Sequence, residues 1–228
     1  MNFTTILWDV DGTLLDFRAA EKAAIQVLFR EFSLGECTDE MVRRYSQINE
    51  VFWQRLERNE LTKPQILVGR FEQFFSEIGI SAALAPAFND RYQLALGDTI
   101  VFRDDSISIV RSLQGKVKQY AVTNGTVTAQ NKKLTASGLK DLLDGAFLSE
   151  GVGAEKPNMA FFDAVFDAIR PTDLSKVLII GDSLTSDIRG GNNAGIRTCW
   201  YNPDHLPARP GFRIDYTISD LREVLDIL

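Results

Sequence analysis

With 228 residues, 45% of them hydrophobic and 25% charged, the chain has the makeup of a soluble globular protein, either one large domain or a core carrying an insertion. A formal net charge of −6 argues against nucleic acid polymers and anionic membranes as partners, since both need a basic face, and leaves room for a small phosphorylated ligand held by a metal ion and local cations. Cys37 and Cys199 stand far apart and outside any metal-ligand spacing, which reads as two reduced thiols, and no apolar stretch approaches the roughly 20 residues that cross a bilayer.

The chain runs at once into the short apolar segment Thr5–Trp8, without a basic n-region or cleavage site, so cytoplasmic is the expected location. That segment, unbroken by polar residues, predicts a strand buried on both faces. From Asp16 to Leu96 the pattern changes. Arg18–Phe32, Glu40–Arg58, Lys63–Ile78 and Ala83–Leu96 carry apolar residues at helical spacing, with breaks near Gly35, Asn59 and Gly79. So much helix is too long for one crossover and predicts an inserted helical-bundle domain on two connections, placed where it can act as a lid. Thereafter helices over Asp104–Leu113, Val127–Ser137, Met159–Ile169 and Ser183–Asn193 alternate with strands over Val117–Val122, Ala146–Leu148, Val177–Ile180 and Ile196–Trp200. This alternation predicts an α/β fold, a doubly wound parallel sheet with right-handed crossovers. The expected division is a core of residues 1–15 and 97–228 and a helical domain of residues 16–96.

Chemistry-bearing residues fall at the ends of the predicted strands. Asp9-Val10-Asp11-Gly12-Thr13 follows the first strand and sets two carboxylates where the chain leaves the sheet, with Gly12 permitting a sharp turn. The competing reading is a solvated turn. Thr123-Asn124-Gly125 follows the second strand, and its hydroxyl and backbone amides suit a phosphate, although the same tripeptide makes a good cap and turn. Lys156, before Pro157, is a cation in a loop leading to a helix, a place usually at the surface. Gly181-Asp182-Ser183 closes Val177–Ile180, and Asp187 lies one turn further on; Asp182 alternatively caps the following helix. His205, the only histidine, sits in a Pro-flanked loop and gives a histidine-based mechanism little support.

Taken in order, these elements resemble the four motifs of the haloacid dehalogenase superfamily of phosphotransferases, along the whole chain, and the insertion resembles that family's C1-type cap. The resemblance implies a Rossmann-like core in which Asp9 is the nucleophile and Asp11 the general acid/base. It further implies that Thr123, Asn124 and Lys156 bind the transferring phosphoryl group, Lys156 also acting in catalysis. Mg²⁺ is the implied cofactor, held by the Asp9 carboxylate, the Asp11 backbone carbonyl and Asp182, with Asp187 supporting the metal site or orienting Lys156. Asp11 separates the chain from true dehalogenases, which need no leaving-group protonation. A phosphonatase would want a Schiff-base lysine from the cap, and the insertion offers only Lys22 and Lys63.

The segments Ile48-Asn49, Trp53 and Leu61-Thr62 through Gly69-Arg70-Phe71 resemble the cap of bacterial pyrimidine 5′-nucleotidases that clear altered nucleotides. So do the core segments 149–153, 181–191 and 198–203. That likeness implies a pyrimidine nucleoside 5′-monophosphate such as dUMP or dTMP as substrate. Asn49, Trp53 and Arg70 are the candidate base or sugar contacts, and Phe17, Phe52, Trp53, Phe71, Phe74 and Phe75 offer faces for stacking, against the alternative that they pack the bundle. Arg70 alternatively forms an ion pair within the insertion. One departure concerns Phe102-Arg103-Asp104-Asp105, where many relatives carry Pro-Gly; it bears on the return connection from the insertion. The runner-up activities are a sugar-phosphate phosphatase and a β-phosphoglucomutase-like phosphotransferase, and outside enzymes a non-catalytic phosphate-binding module. The chain is expected to work as a monomer or small homo-oligomer.

Overall fold

In the computed structural model, which describes residues 2–228, strands β1 (Thr5–Trp8), β2 (Lys118–Thr123), β3 (Gly145–Leu148), β4 (Val177–Gly181), β5 (Arg197–Tyr201) and β6 (Tyr216–Ile218) form one sheet. Its order is β3-β2-β1-β4-β5-β6, and every neighbouring pair is parallel. β1 and β4 are buried along their whole length. Alternate residues explain why neither strand shows polar alternation. Ile6, Trp8, Leu178 and Ile180 point into one hydrophobic cluster, while Leu7, Val177 and Ile179 point into the cluster on the other side.

Helices cover both faces. The first cluster takes Ile109, Val110 and Leu113 from α5 (Ser106–Leu113), Leu134 from α6 (Val127–Ala136) and Val224 from α10 (Val224–Ile227). The second takes Phe161, Phe162 and Val165 from α8 (Met159–Ile169), which the short α7 (Ser149–Val152) precedes; α9 (Arg189–Asn193) follows β4. Strand order reverses at β1, since β2 and β3 extend the sheet to one side and β4, β5 and β6 to the other. The carboxyl ends of β1, β2 and β4 thus meet at a topological switch point, the place where open α/β sheets bind ligands.

The chain divides into two compact units: one takes it up to Asp16 and again from Ile100 to Leu228, the other is Phe17–Thr99. The two stretches flanking the excursion are tied together. Asp16 N donates to Val101 O at 2.8 Å, Arg103 N to Leu14 O at 3.1 Å, and Leu15 pairs antiparallel with Phe102. The helical unit comprises α1 (Phe17–Glu31), α2 (Asp39–Glu57), α3 (Lys63–Glu77) and α4 (Ala85–Ala95). Thr38 Oγ1 caps α2 by accepting from Met41 N at 3.2 Å, and Gln65 Oε1 reaches back to Thr62 N at 2.8 Å to open α3, whose first turn carries Pro64. Phe29, Tyr45, Phe71, Phe74, Phe75, Phe88 and Tyr92 fill its interior edge to face or tilted, with Tyr45 stacked on Phe71. Among the described residues no helix is long and apolar enough to cross a membrane.

Three local features differ from the sequence reading. The helix expected from Asp104 starts at Ser106, because Asp104 and Asp105 take left-handed backbone conformations, with φ of 43° and 56°. The helix expected over Ser183–Asn193 is a π-helical turn, Leu184–Ile188, followed by α9. The three-residue β6 and the short α7 and α10 were not anticipated.

Candidate active site

Asp9 directly follows β1, and its backbone N donates to Ile180 O at 2.9 Å and so extends the contact with β4 by one residue. Gly12, at φ 96°, turns the chain back, and Gly12 N and Leu15 N close a tight loop onto Leu15 O and Val10 O. Thr13 is fully buried within it. Its hydroxyl donates to Asp9 Oδ2 at 3.0 Å, lies 3.4 Å from Asp182 Oδ1 and accepts from Asp182 N at 3.1 Å. One side chain thereby fixes the ends of β1 and β4 against each other.

Lys156 is the reverse of a surface lysine, being 1% exposed. Its Nζ donates to Asp9 Oδ1 at 2.9 Å, Asp187 Oδ1 at 2.6 Å and Val122 O at 2.7 Å, which uses all three of its hydrogens. Asn124 positions the loop that carries it: Asn124 Oδ1 accepts from Lys156 N and Asn124 Nδ2 donates to Lys156 O, both at 2.8 Å. The Asn124 side chain therefore joins two loops. Thr123 is buried at the end of β2, and its hydroxyl accepts from Gly125 N at 3.1 Å.

Beyond β4, the cap of the next helical turn is Ser183, whose hydroxyl accepts from Ser186 N at 3.1 Å; Asp182 is not the cap. The π-turn brings Asp187 back over the strand end, where Oδ2 accepts from Ser183 N at 3.1 Å while Oδ1 holds Lys156. Trp200 Nε1 donates to Asp182 O at 2.9 Å and anchors the same loop. Two glycines make room. A Cβ on Gly12 would strike the Asp182 carboxyl, and one on Gly181 would strike that of Asp187.

Asp9, Asp182 and Asp187 bring carboxylate oxygens within 4.8 Å of one another. Three carboxylates against one ammonium leave two negative charges, the charge of one divalent cation. The electrostatics show the same excess. Burial, with Asp187 and Asp11 adding to it and Lys156 opposing, raises the Asp9 pKa to about 7. Asp182 presents surface to solvent, and crowding by protein atoms followed by the charges of Asp9 and Asp187 raises its carboxyl well above the usual range. Burial alone would lower the Lys156 ammonium; Asp187 and Asp9 outweigh that and hold it above its ordinary value. Asp187 is buried and taken up by Lys156 and Ser183 N, whereas Asp9, held by Lys156 and Thr13, and the solvent-facing Asp182 present hard oxygen donors, a set suited to Mg²⁺.

Asp11 lies partly buried in the loop after β1, and its carboxylate accepts from Gln130 Nε2 at 2.6 Å and Lys133 Nζ at 2.5 Å. Sequence reading passed over Thr13, Gln130 and Lys133. Gln130 and Lys133 stand three residues apart on α6, whose cap is Thr126, but nothing in their spacing names Asp11 as the partner.

In the helical unit, Asn49 and Arg70 are buried and bonded to each other, Arg70 NH1 donating to Asn49 Oδ1 at 2.6 Å. The chain of contacts spans four helices: Asn49 Nδ2 donates to Glu21 Oε1 at 3.0 Å, and Asn89 Oδ1 accepts from Arg70 NH2 at 3.3 Å and Gln93 Nε2 at 2.9 Å. Phe52, Phe71, Phe74 and Phe75 are buried, whereas Phe17 and Trp53 keep part of their surface.

The sequence profile of the haloacid dehalogenase-like hydrolases matches residues 3–195. The chain belongs to that family. It is 37% identical to the HAD-hydrolase YfnB of Bacillus subtilis, over 99% of this chain and 95% of that protein. It is 35% identical to the pyrimidine 5′-nucleotidase PynA of Streptococcus pneumoniae, over 99% and 96%, and 30% identical to the pyrimidine 5′-nucleotidase YjjG of Escherichia coli, over 100% and 99%. A crystal structure of YfnB, described as bound to magnesium and revealing interdomain movement, superposes with a TM-score of 0.92 over 99% of this chain and 98% of that one. The protein is accordingly a hydrolase with the α/β core of this family.

Proposed function

We propose that this hydrolase is a Mg²⁺-dependent phosphatase that acts through an aspartyl-phosphate on Asp9, with pyrimidine nucleoside 5′-monophosphates as its substrates. The observation that carries the chemistry is the placing of Asp9 at the carboxyl end of the switch-point strand, with Lys156 Nζ 2.9 Å from Oδ1 and carboxylate oxygens of Asp9 and Asp182 within 4.8 Å of each other. In the first half-reaction Asp9 attacks phosphorus, the ester P–O bond breaks, and Asp11 protonates the departing alkoxide. In the second, Asp11 takes a proton from water, the water oxygen attacks phosphorus, and the P–O bond to Asp9 breaks to release phosphate. Lys156 orients Asp9 and offsets negative charge gathering there; Thr123 and the backbone that follows it receive the phosphoryl oxygens. Asp9, Asp182 and the Asp11 carbonyl would hold Mg²⁺, which supplies charge neutralisation between the anionic nucleophile and the anionic ester. Asp187 serves Lys156.

The choice of a pyrimidine nucleotide rests on the full-length likeness to PynA and YjjG. Within the helical unit, Trp53 and Phe17 are the aromatic candidates for stacking on a base. Asn49 and Arg70 are bonded to one another, which supports a part for them in shaping the bundle. A panel of phosphate esters assayed with Mg²⁺ tests the reading: kcat/KM for dUMP or dTMP is expected to exceed that for sugar phosphates by about tenfold or more. Comparable values would overturn the nucleotide assignment, an Asp9→Asn variant with full activity would overturn the nucleophile, and wild-type protein inert to every ester would favour a phosphate-binding module.

A further inference from the structure

We infer that Gln130 and Lys133 on α6 are positioning residues for Asp11, the two donors that set where its carboxyl stands during leaving-group protonation. This rests on the reading of Asp11 as the acid/base. The two residues are three apart on α6 and so share a face, and each takes one oxygen of the same carboxylate: Gln130 Nε2 donates to Oδ2 at 2.6 Å and Lys133 Nζ to Oδ1 at 2.5 Å. Both are 1% exposed, although Asp11 itself is only partly buried. Burying a lysine and a glutamine to grip a loop carboxylate from beneath is costly, because both lose their solvation and rotamer freedom.

The glutamine carries a second mark of being held for this purpose. Its Oε1 is buried with no hydrogen-bond partner, so the amide keeps its place through what Nε2 gives Asp11, at the expense of its other end. Room for it comes from Gly125, where a Cβ would strike the Gln130 amide. The loop at the end of β2 and the carboxyl after β1 are therefore linked through one side chain. A carboxyl held at both oxygens has one orientation, and a proton donor displaced by about 1 Å loses about two orders of magnitude in rate.

A role in positioning the acid makes a demand that a merely structural role does not. An alkoxide leaving group needs the proton from Asp11 as the ester P–O bond breaks, whereas p-nitrophenolate departs without one. kcat/KM runs only through the first irreversible step, so it omits the later hydrolysis that both esters share. Lys133→Met and Gln130→Met should lower kcat/KM for dUMP, assayed with Mg²⁺, by about tenfold more than for p-nitrophenyl phosphate, within the range general acid catalysis supplies. Lys133→Arg should recover part of the loss. Equal falls for the two esters, as damage to the fold or the phosphate site would give, or no fall in either variant, would overturn the inference. Asp11→Asn is assayed alongside: if it fails to separate the esters, the acid assignment falls and this inference with it. If it separates them while both α6 variants do not, the inference alone is wrong.

Discussion

A methyl group added at Gly181 would occupy the space of the Asp187 carboxyl, which holds Lys156 at 2.6 Å, and Lys156 in turn holds Asp9. Gly181→Ala is therefore expected to shift the whole row of contacts, lowering kcat about 100-fold while costing only about 1–3 kcal/mol of stability. Steady-state kinetics beside thermal denaturation checks this, and wild-type kcat in a folded Gly181→Ala protein would refute the packing argument. Lys156→Met removes the cation that pairs the buried Asp9 and Asp187, and breaking that buried set should cost about 3–5 kcal/mol in chelator, read by denaturant unfolding. At this scale the sequence was informative where a residue's type and its place after an apolar run coincide, as at Asp9, Asp182 and Asp187. It was silent on Lys133 and Gln130, because a polar residue on a helix declares neither its face nor its partner, and Asp11 lies more than a hundred residues away. Asn49 and Arg70 were open for the same reason: side chains able to pair with a base are equally able to pair with each other, as these two do here.

The start of α5 sets two like residues in like strain. Asp104 and Asp105 both have left-handed backbones, but the Asp104 carboxylate accepts from Tyr201 OH at 2.7 Å and Leu221 N at 3.1 Å, while Asp105 is exposed and accepts from Ser108 Oγ at 3.0 Å in water. Asp105→Gly should raise stability by about 0.5 kcal/mol, the relief of about 1–2 kcal/mol of left-handed strain less the larger unfolded-state entropy of glycine. Asp104→Gly should instead destabilise by about 1–3 kcal/mol, through the partners left unmet. Opposite signs in urea unfolding would bear out the distinction; the same sign for both would sink it. In the helical unit, burial raises the Glu21 pKa above its ordinary 4.5, against the opposing hydrogen bond from Ser46 and the charges of Arg18 and Arg70. A raised carboxyl favours folding while protonated, so its contribution is complete below pH 4.5 and fades as pH climbs through the folded value. Glu21→Gln, neutral throughout, should thus gain on wild type as pH rises above about 4.5, and a gap that narrows with rising pH would contradict the assignment. Most elements were legible because β1 and β4 are continuous apolar runs and the helices keep their period. β6 is too short to show a pattern, and the π-turn at Leu184–Ile188 keeps helical composition while changing its pitch.

For the molecule as a whole, a net charge of −6 and an anionic cluster at the switch point mean that folding gathers like charge in one place. Mg²⁺ should therefore stabilise the native state, by about 2.7 kcal/mol at a hundredfold excess over its Kd, as a rise in melting temperature over chelator-treated protein. Asp182→Asn should shrink that rise sharply, and an undiminished one would place the cation elsewhere. The ribbon formed by Leu15 and Asp16 against Val101 and Phe102 bears on how such a molecule changes over evolutionary time. Because the segments on either side of residues 17–99 are already hydrogen-bonded neighbours outside the sheet, the excursion begins and ends at one antiparallel bridge, as the tip of a hairpin does. Lengthening, shortening or exchanging that tip demands no new register in the sheet, so the junction works as a socket: the stretch between Asp16 and Ile100 can be rewritten while the sheet and the carboxylates at its strand ends are inherited intact.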